Sequence, residues 1–317
     1  MDLTRRIFLM SAIAGAALPA RAAQAVTRIA GPAFGSSWHA VLPGGIDAIT
    51  AQRALMEEIA AVDTAMSPYR ADSHLTRFNR SRDTGWQQVA PMLAHTLSVA
   101  LDITRLSGGA FDPTVGPLVR RYGFGPIAGP GAGNPAGLQT RPYAIRKAAP
   151  DLTIDLCGIA KGYGLDRMVA ALTTLGHTDF LIELGGEIAC RGHHPEGRDW
   201  LVAVEAPGGS AAQRVLKPSG MALATSGHAA NGFPRLGLSH VIDPRTTGPA
   251  APSLASVSVL AETAERADAL ATALLVLGSE AGPELARAKG INALFLAVKG
   301  PAFQEIMTGA FARHIVR

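Results

Sequence analysis

Between residues 152 and 298, short β-prone runs alternate with amphipathic helical patterns, and turn residues crowd the joints. The strand-like runs are LTIDL (152–156), FLIEL (180–184), WLVAVEA (200–206), LSHVI (238–242), ASVSVLA (255–261) and NALFLAV (292–298). Helical periodicity marks residues 51–66, 92–108, 164–176 and 265–278. Hairpin-type joints outnumber crossovers, which favours an α+β fold over a doubly wound sheet: a mainly antiparallel mixed sheet packed with helices, in a single domain. No repeat, heptad or polar linker divides the chain. The Gly/Pro-dense stretch from 123 to 142 reads as a long irregular loop within that domain, because so many turn residues cannot hold a regular element.

With 48% hydrophobic and 17% charged residues over 317 positions, the chain has the material for a core and is not of the disordered class. Its formal charge of +4 shrinks to +2 once residues 1–22, with Arg5, Arg6, Arg21 and Asp2, are set aside. No run of lysine or arginine interleaved with aromatics is present, so a nucleic-acid partner is not expected.

The N-terminus reads MDLTRRIFLMSAIAGAALPARAAQ: a charged start, an apolar run from Ile7 to Leu18, and Ala20 and Ala22 placed for cleavage after Ala22. The run is too short to span a bilayer. TRRIFL, followed by Ala and Gly rather than Leu, matches a twin-arginine export signal better than an ordinary secretory one. The expectation is a signal over 1–22 and a mature chain over 26–317, without an integral membrane span and delivered folded to the periplasm. Cys157 and Cys190 either pair there or stay free, and neither lies where a lipid anchor would attach.

Three stretches carry candidate chemistry. In DLCGIAKGYGLD (155–166) a glycine turn feeds a helix whose N-terminus is an anion site, although the glycine spacing is not that of a P-loop. Asp155 there is by itself a turn cap more often than a ligand. In ADALATALLVLG (267–278), Asp268 and Thr272 stand one helical turn apart on one face, suited to a hard cation such as Mg²⁺ or to plain helix chemistry. In SHVIDPRTTGP (239–249), His240 lies where loops gather and is a candidate general base, or a surface histidine. Tyr69 in SPYRADSHLTRFN, ahead of a cap at Ser73, and Phe111 in GGAFDPTVGPL offer faces to a planar ring or simply belong to turns.

Taken in order, SPYRADSHLTRFN, GGAFDPTVGPL, DLCGIAKGYGLD, LGGEIACRG, ATSG, SHVIDPRTTGP and ADALATALLVLG give the chain a resemblance to the FAD:protein FMN transferases of the ApbE family. The resemblance runs from FGSSW (34–38) to ALLVLG (273–278). It implies that residues 26–317 form a flavin transferase catalytic domain. Such a domain binds FAD as substrate and, with Mg²⁺, attaches the FMN half through a phosphoester to a threonine of an exported acceptor protein, releasing AMP. Metal ligands would fall on Asp268, Thr272 and the carbonyl of Gly158. Flavin nucleotide contacts would fall on Phe34, Tyr69, Ala110, Phe111, Asp112, Asp155, Lys161 and Ile242, and the proton acceptor on His240. Phe34 stands where relatives often carry Met, and HAANGF after ATSG departs from their pattern. Two other readings of the same pieces are an FAD pyrophosphatase releasing FMN and AMP, and an exported flavin-binding protein without catalysis.

Overall fold

The computed structural model describes residues 25–316 apart from 132, 208–210, 229–239 and 301. The signal expected over 1–22 lies outside the described residues, as do the first two residues of LSHVI and most of HAANGF.

In chain order the first half holds β1 (Val26–Ala33), β2 (Ser36–Pro43), α1 (Ala48–Met66), α2 (His74–Arg80), β3 (Gln87–Gln88), α3 (Pro91–Leu106), α4 (Gly116–Arg121), β4 (Leu138–Arg141) and β5 (Ala144–Lys147). The second half holds α5 (Ala160–Thr174), β6 (Phe180–Leu184), β7 (Glu187–Arg191), β8 (Val202–Glu205), β9 (Ala212–Leu216), β10 (Ala222–Gly227), β11 (Ile242–Asp243), β12 (Gly248–Pro249), β13 (Leu254–Ala261), α6 (Ala264–Ala288), β14 (Asn292–Lys299) and β15 (Ala302–Thr308). An eight-stranded sheet in the order β1-β2-β6-β7-β10-β13-β14-β15 is the frame, and each neighbouring pair in it is antiparallel. The α+β expectation holds. No helix among the described residues is long and apolar enough to cross a membrane.

Three of the six expected strands, FLIEL, ASVSVLA and NALFLAV, do share this sheet. WLVAVEA does not: among the described residues Val202–Glu205 pairs only with β9. LTIDL joins no ladder among the described residues. Its backbone is satisfied by α2 and a loop instead, Asn79 of α2 bonding both the N–H and the C=O of Ile154 at 2.7 and 2.8 Å, and Asp155 N–H donating to the Pro113 carbonyl at 2.7 Å. Of the described residues of LSHVI, only Ile242 enters a strand, the two-residue β11. The Gly/Pro-dense stretch holds a 3₁₀ turn at Pro135–Gly137, capped by Asn134, and its end, Leu138–Arg141, pairs with β5, so it is not wholly a loop.

Helices α3 and α6 and the end of α1 bury their apolar stripes with Val257, Val259 and Phe295 of the sheet. A second cluster joins α1 and α5 to β1, β2 and β6 around Trp38, Leu55, Leu165, Met168 and Phe180. The opposite face of the sheet is closed by Trp200, Val202, Leu216 and Phe311. Helix α6 is interrupted at Gly278 (φ 80°), where the sequence pattern ends. The helices therefore lie on one face, and the glycine turn before α5 faces α6.

Candidate active site

The site is built where α5 meets α6. A side chain at Gly162 would overlap the Ala264 carbonyl oxygen, so only glycine permits the two backbones to approach. One turn on, the Asp166 carboxylate accepts the N–H groups of Ala264 and Glu265 at 2.8 and 2.9 Å, capping α6 from outside while Thr263 caps it from within. This junction brings Asp268 to the start of α5, where Oδ2 accepts the first-turn amide of Gly162 at 3.0 Å. The carboxylate is buried. Burial pushes its pKa up, against the pull of the Lys161 ammonium and the Gly162 amide.

Thr272 lies one turn further along the same face, and its Oγ1 is 3.2 Å from Oγ of Ser226 at the end of β10. A Cβ at Gly158 would stand 3.3 Å from Thr272 Oγ1 and 3.2 Å from the Phe111 ring. Gly158, Asp268 and Thr272 thus sit around one point. Among the described residues Asp268 Oδ1 takes no hydrogen bond, and no group of three or more His, Cys, Asp or Glu stands together. The donors fit a hard cation that draws on one carboxylate, one or two hydroxyls, a backbone carbonyl and outside oxygens.

Beside this point the hairpin of β6 and β7 turns through Gly185 and Gly186, both with positive φ (60° and 108°), and Glu183 accepts the Gly186 amide at 2.6 Å. Lys161, in the first turn of α5, reaches this hairpin. Its Nζ lies 2.7 Å from Glu187 Oε1 and 3.5 Å from the Gly185 carbonyl oxygen. Glu187 is buried, and its Oε2 has no hydrogen-bond partner among the described residues. Burial, reinforced by Asp268, pushes the Glu187 carboxyl up, and the Lys161 ammonium 2.7 Å away pulls it back down and favours the ionised form. Burial alone would lower Lys161, yet Glu187 and Asp268 outweigh it and hold the ammonium above its ordinary value. A positive charge is thereby fixed next to the Gly158–Asp268–Thr272 point.

His240 precedes β11 rather than lying in a strand. Its Nδ1 is buried with no hydrogen-bond partner among the described residues, and the Phe124 ring meets it edge-on at 6.2 Å. Burial, then the neighbouring His228 and Lys161, hold its pKa below the usual histidine value. The imidazole is neutral at pH 7 and able to accept a proton. Asp243, two residues after Val241, is committed to Arg245 through bonds of 2.8 and 2.9 Å. Ile242 is buried opposite Pro249, two residues from His240.

The remaining expected contacts form the surround. Phe34 adopts φ 49° in the β1–β2 turn, a strained setting for an aromatic residue, and its ring closes on Gly164 of α5, where a Cβ would be 3.1 Å away. Tyr69 is 74% exposed, so its ring is free for contact. Partial burial, then the charges of Cys157 and Asp155, push its phenol above the ordinary tyrosine value. Phe111 is held by its N–H donating to Ser107 Oγ at 3.1 Å, and Asp112 Oδ1 accepts both N–H and Oγ1 of Thr114 at 2.6 and 2.7 Å. Ala110 packs with Ala250 and Val276, tying this loop to the hairpin after His240. Asp155 accepts the Cys157 amide at 2.9 Å and is raised by burial. Cys157 is exposed and Cys190 buried, and both are free thiols.

The structure brings Gly158, Phe111 and Thr272 close together, joins Asp268 to the residue after Lys161, and sets Phe34 at the adjoining turn of α5, while His240 feels the charge of Lys161 and Tyr69 those of Cys157 and Asp155. Glu187, Ser226 and His228 belong to the same neighbourhood and were not read from the sequence as site residues. Glu187 lies in LGGEIACRG and Ser226 in ATSG, two stretches that carried the resemblance without a role for either residue, and His228 follows ATSG directly.

The family description "ApbE family" matches residues 34–295. The chain belongs to the ApbE family. An FAD:protein FMN transferase of Vibrio cholerae is 34% identical over 306 residues, covering 89% of this chain and 91% of the relative. One from Escherichia coli K12 is 34% identical over 92% of this chain and 90% of its own length. Among solved structures, the flavin transferase ApbE from Vibrio cholerae superimposes with a TM-score of 0.84 at 31% identity, over 92% of this chain and 99% of that one. The apo form of the Pseudomonas stutzeri flavinyl transferase ApbE gives 0.83 at 32% identity, over 92% and 97%. The ApbE fold thus accounts for nearly the whole described chain.

Proposed function

We propose that this ApbE-family flavin transferase takes FAD as substrate and moves its FMN half onto a threonine hydroxyl of an exported acceptor protein. The observation that carries the reading is the convergence of Asp268, Thr272 and the Gly158 turn beside a fixed ammonium, with a neutral histidine whose Nδ1 is buried in the same electrostatic neighbourhood.

Asp268, Thr272 and the Gly158 carbonyl would hold Mg²⁺, which, when bound, neutralises charge on the pyrophosphate and its departing oxygen. Lys161 supplies a second, permanent positive charge for the phosphates. Tyr69, Phe111 and Phe34 give the flavin nucleotide aromatic surface, and the first turn of α5 points amides toward the anion. His240 accepts the proton as the threonine Oγ forms its bond to the FMN phosphorus. The bond from that phosphorus to the bridging oxygen breaks, and AMP leaves with the oxygen. The acceptor keeps FMN as a phosphoester. Export by the twin-arginine route, read from Arg5 and Arg6, would deliver the folded enzyme to the periplasm, where such an acceptor resides.

Product analysis with FAD and Mg²⁺, with and without a threonine-bearing acceptor, tests the reading. AMP should appear in step with FMN on the acceptor. Free FMN and AMP at the same rate without acceptor would make the protein an FAD pyrophosphatase instead.

A further inference from the structure

Glu187 occupies a place that stability does not explain. A carboxylate this buried, with one oxygen on Lys161 Nζ at 2.7 Å and the other without a partner among the described residues, loses more in desolvation than a well-packed apolar residue would. The pair also sits at the functional point, not in a remote core. Lys161 is a point charge on a flexible four-carbon stem, and by itself it would sample many positions around a bound phosphate. Glu187 stands on β7, right after the Gly185-Gly186 turn whose carbonyl lies 3.5 Å from the same Nζ. The rigid hairpin therefore delivers both acceptors to one side of the ammonium, and the lysine keeps donor capacity for a phosphate oxygen.

We propose that Glu187 is a positioning residue for transfer: it fixes the Lys161 ammonium, charged and immobile, before the nucleotide arrives. This rests on the reading of the site as a flavin transferase centre. The gain is preorganisation, since a charge already in place need not be ordered during the reaction. The groups facing Lys161 are Glu187 from β7, Asp268 from α6, Cys157 from the turn before α5, and His240 ahead of β11. Only Glu187 among them is within hydrogen-bonding distance.

Two readouts test the role. The first needs neither FAD nor metal: lysines are reductively methylated with ¹³C, the Lys161 signal is identified by its loss in Lys161→Arg, and its titration is followed by NMR. In Glu187→Gln, whose amide oxygen retains the hydrogen bond but not the charge, Lys161 should titrate at least about one pH unit lower. An unchanged titration overturns the proposal. The second is a double-mutant cycle in FMN transfer. Glu187→Gln should slow the native enzyme roughly 30-fold, and change a Lys161→Met enzyme less than about twofold. Equal losses in both backgrounds overturn it too. Should Glu187→Gln fail to fold, Glu187→Asp, with a shorter reach, is read in the same assays and should fall between. A wild type that shows no transfer at all would sink the transferase reading, while the NMR titration would still decide what Glu187 does for Lys161.

Discussion

Gly162 donates its backbone N–H to Oδ2 of Asp268 across 3.0 Å, so one hydrogen bond joins the anion-binding turn of α5 to the carboxylate of the cation point on α6. The contact depends on the absence of a side chain at Gly162, which leaves room for the Ala264 carbonyl. Gly162→Ala must push the helices apart. The expected cost is about 3 kcal/mol, seen as a melting temperature lower by roughly 6–12 °C. A melt at the wild-type temperature would contradict the close crossing.

Asp268 is the charged donor of the cation point, and Thr272 a neutral one. Asp268→Ala should abolish turnover and weaken Mg²⁺ binding in the presence of FAD, and Thr272→Ala should do so less severely. Ser226→Ala, which removes only a hydroxyl 3.2 Å from Thr272 Oγ1, should have the smallest effect. Calorimetric titration measures all three. Unchanged metal affinity in Asp268→Ala would mean that this pair is ordinary helix chemistry.

His240 gives the pH dependence its sign. An exposed histidine titrates near about 6.5, and burial with His228 and Lys161 lowers the folded value. Transfer through the neutral imidazole is therefore complete at pH 7 and is lost as pH falls through that lowered pKa. His240→Gln should leave FAD affinity intact, slow transfer roughly a hundredfold and remove the acid limb. The rate–pH profile of the variant is the check, and a retained acid limb would point to another base.

Much of this site was legible as chemistry before it was legible as geometry. Asp268 and Thr272 share a face because helical spacing requires it, and the DLCGIAKGYGLD junction was readable because glycine turns and helix starts have local causes. The sheet was harder. β1 and β2 carry Gly31, Pro32 and Pro43, which blur strand alternation, and they form because β1 pairs with β2 and β2 with β6. LTIDL alternates as a strand should, yet Asn79 and Pro113, 75 and 42 positions away, take its backbone bonds. Glu187 was hidden for the same reason. Its meaning comes from Lys161, 26 positions earlier, and only the hairpin and α5 together bring them to 2.7 Å.

The export reading depends on the pair Arg5-Arg6. Arg5→Lys combined with Arg6→Lys should leave an uncleaved, folded precursor in the cytoplasm, detected by fractionation. Normal export of the double variant would favour the ordinary secretory route.

The most direct test of the central claim is a denaturing gel of a threonine-bearing acceptor after incubation with the enzyme, FAD and Mg²⁺, viewed by flavin fluorescence. A phosphoester survives denaturation and bound flavin does not, so the acceptor band should glow. The same acceptor with its target threonine changed to alanine should stay dark. A dark band with the native acceptor, together with free FMN and AMP in solution, would contradict transfer to protein.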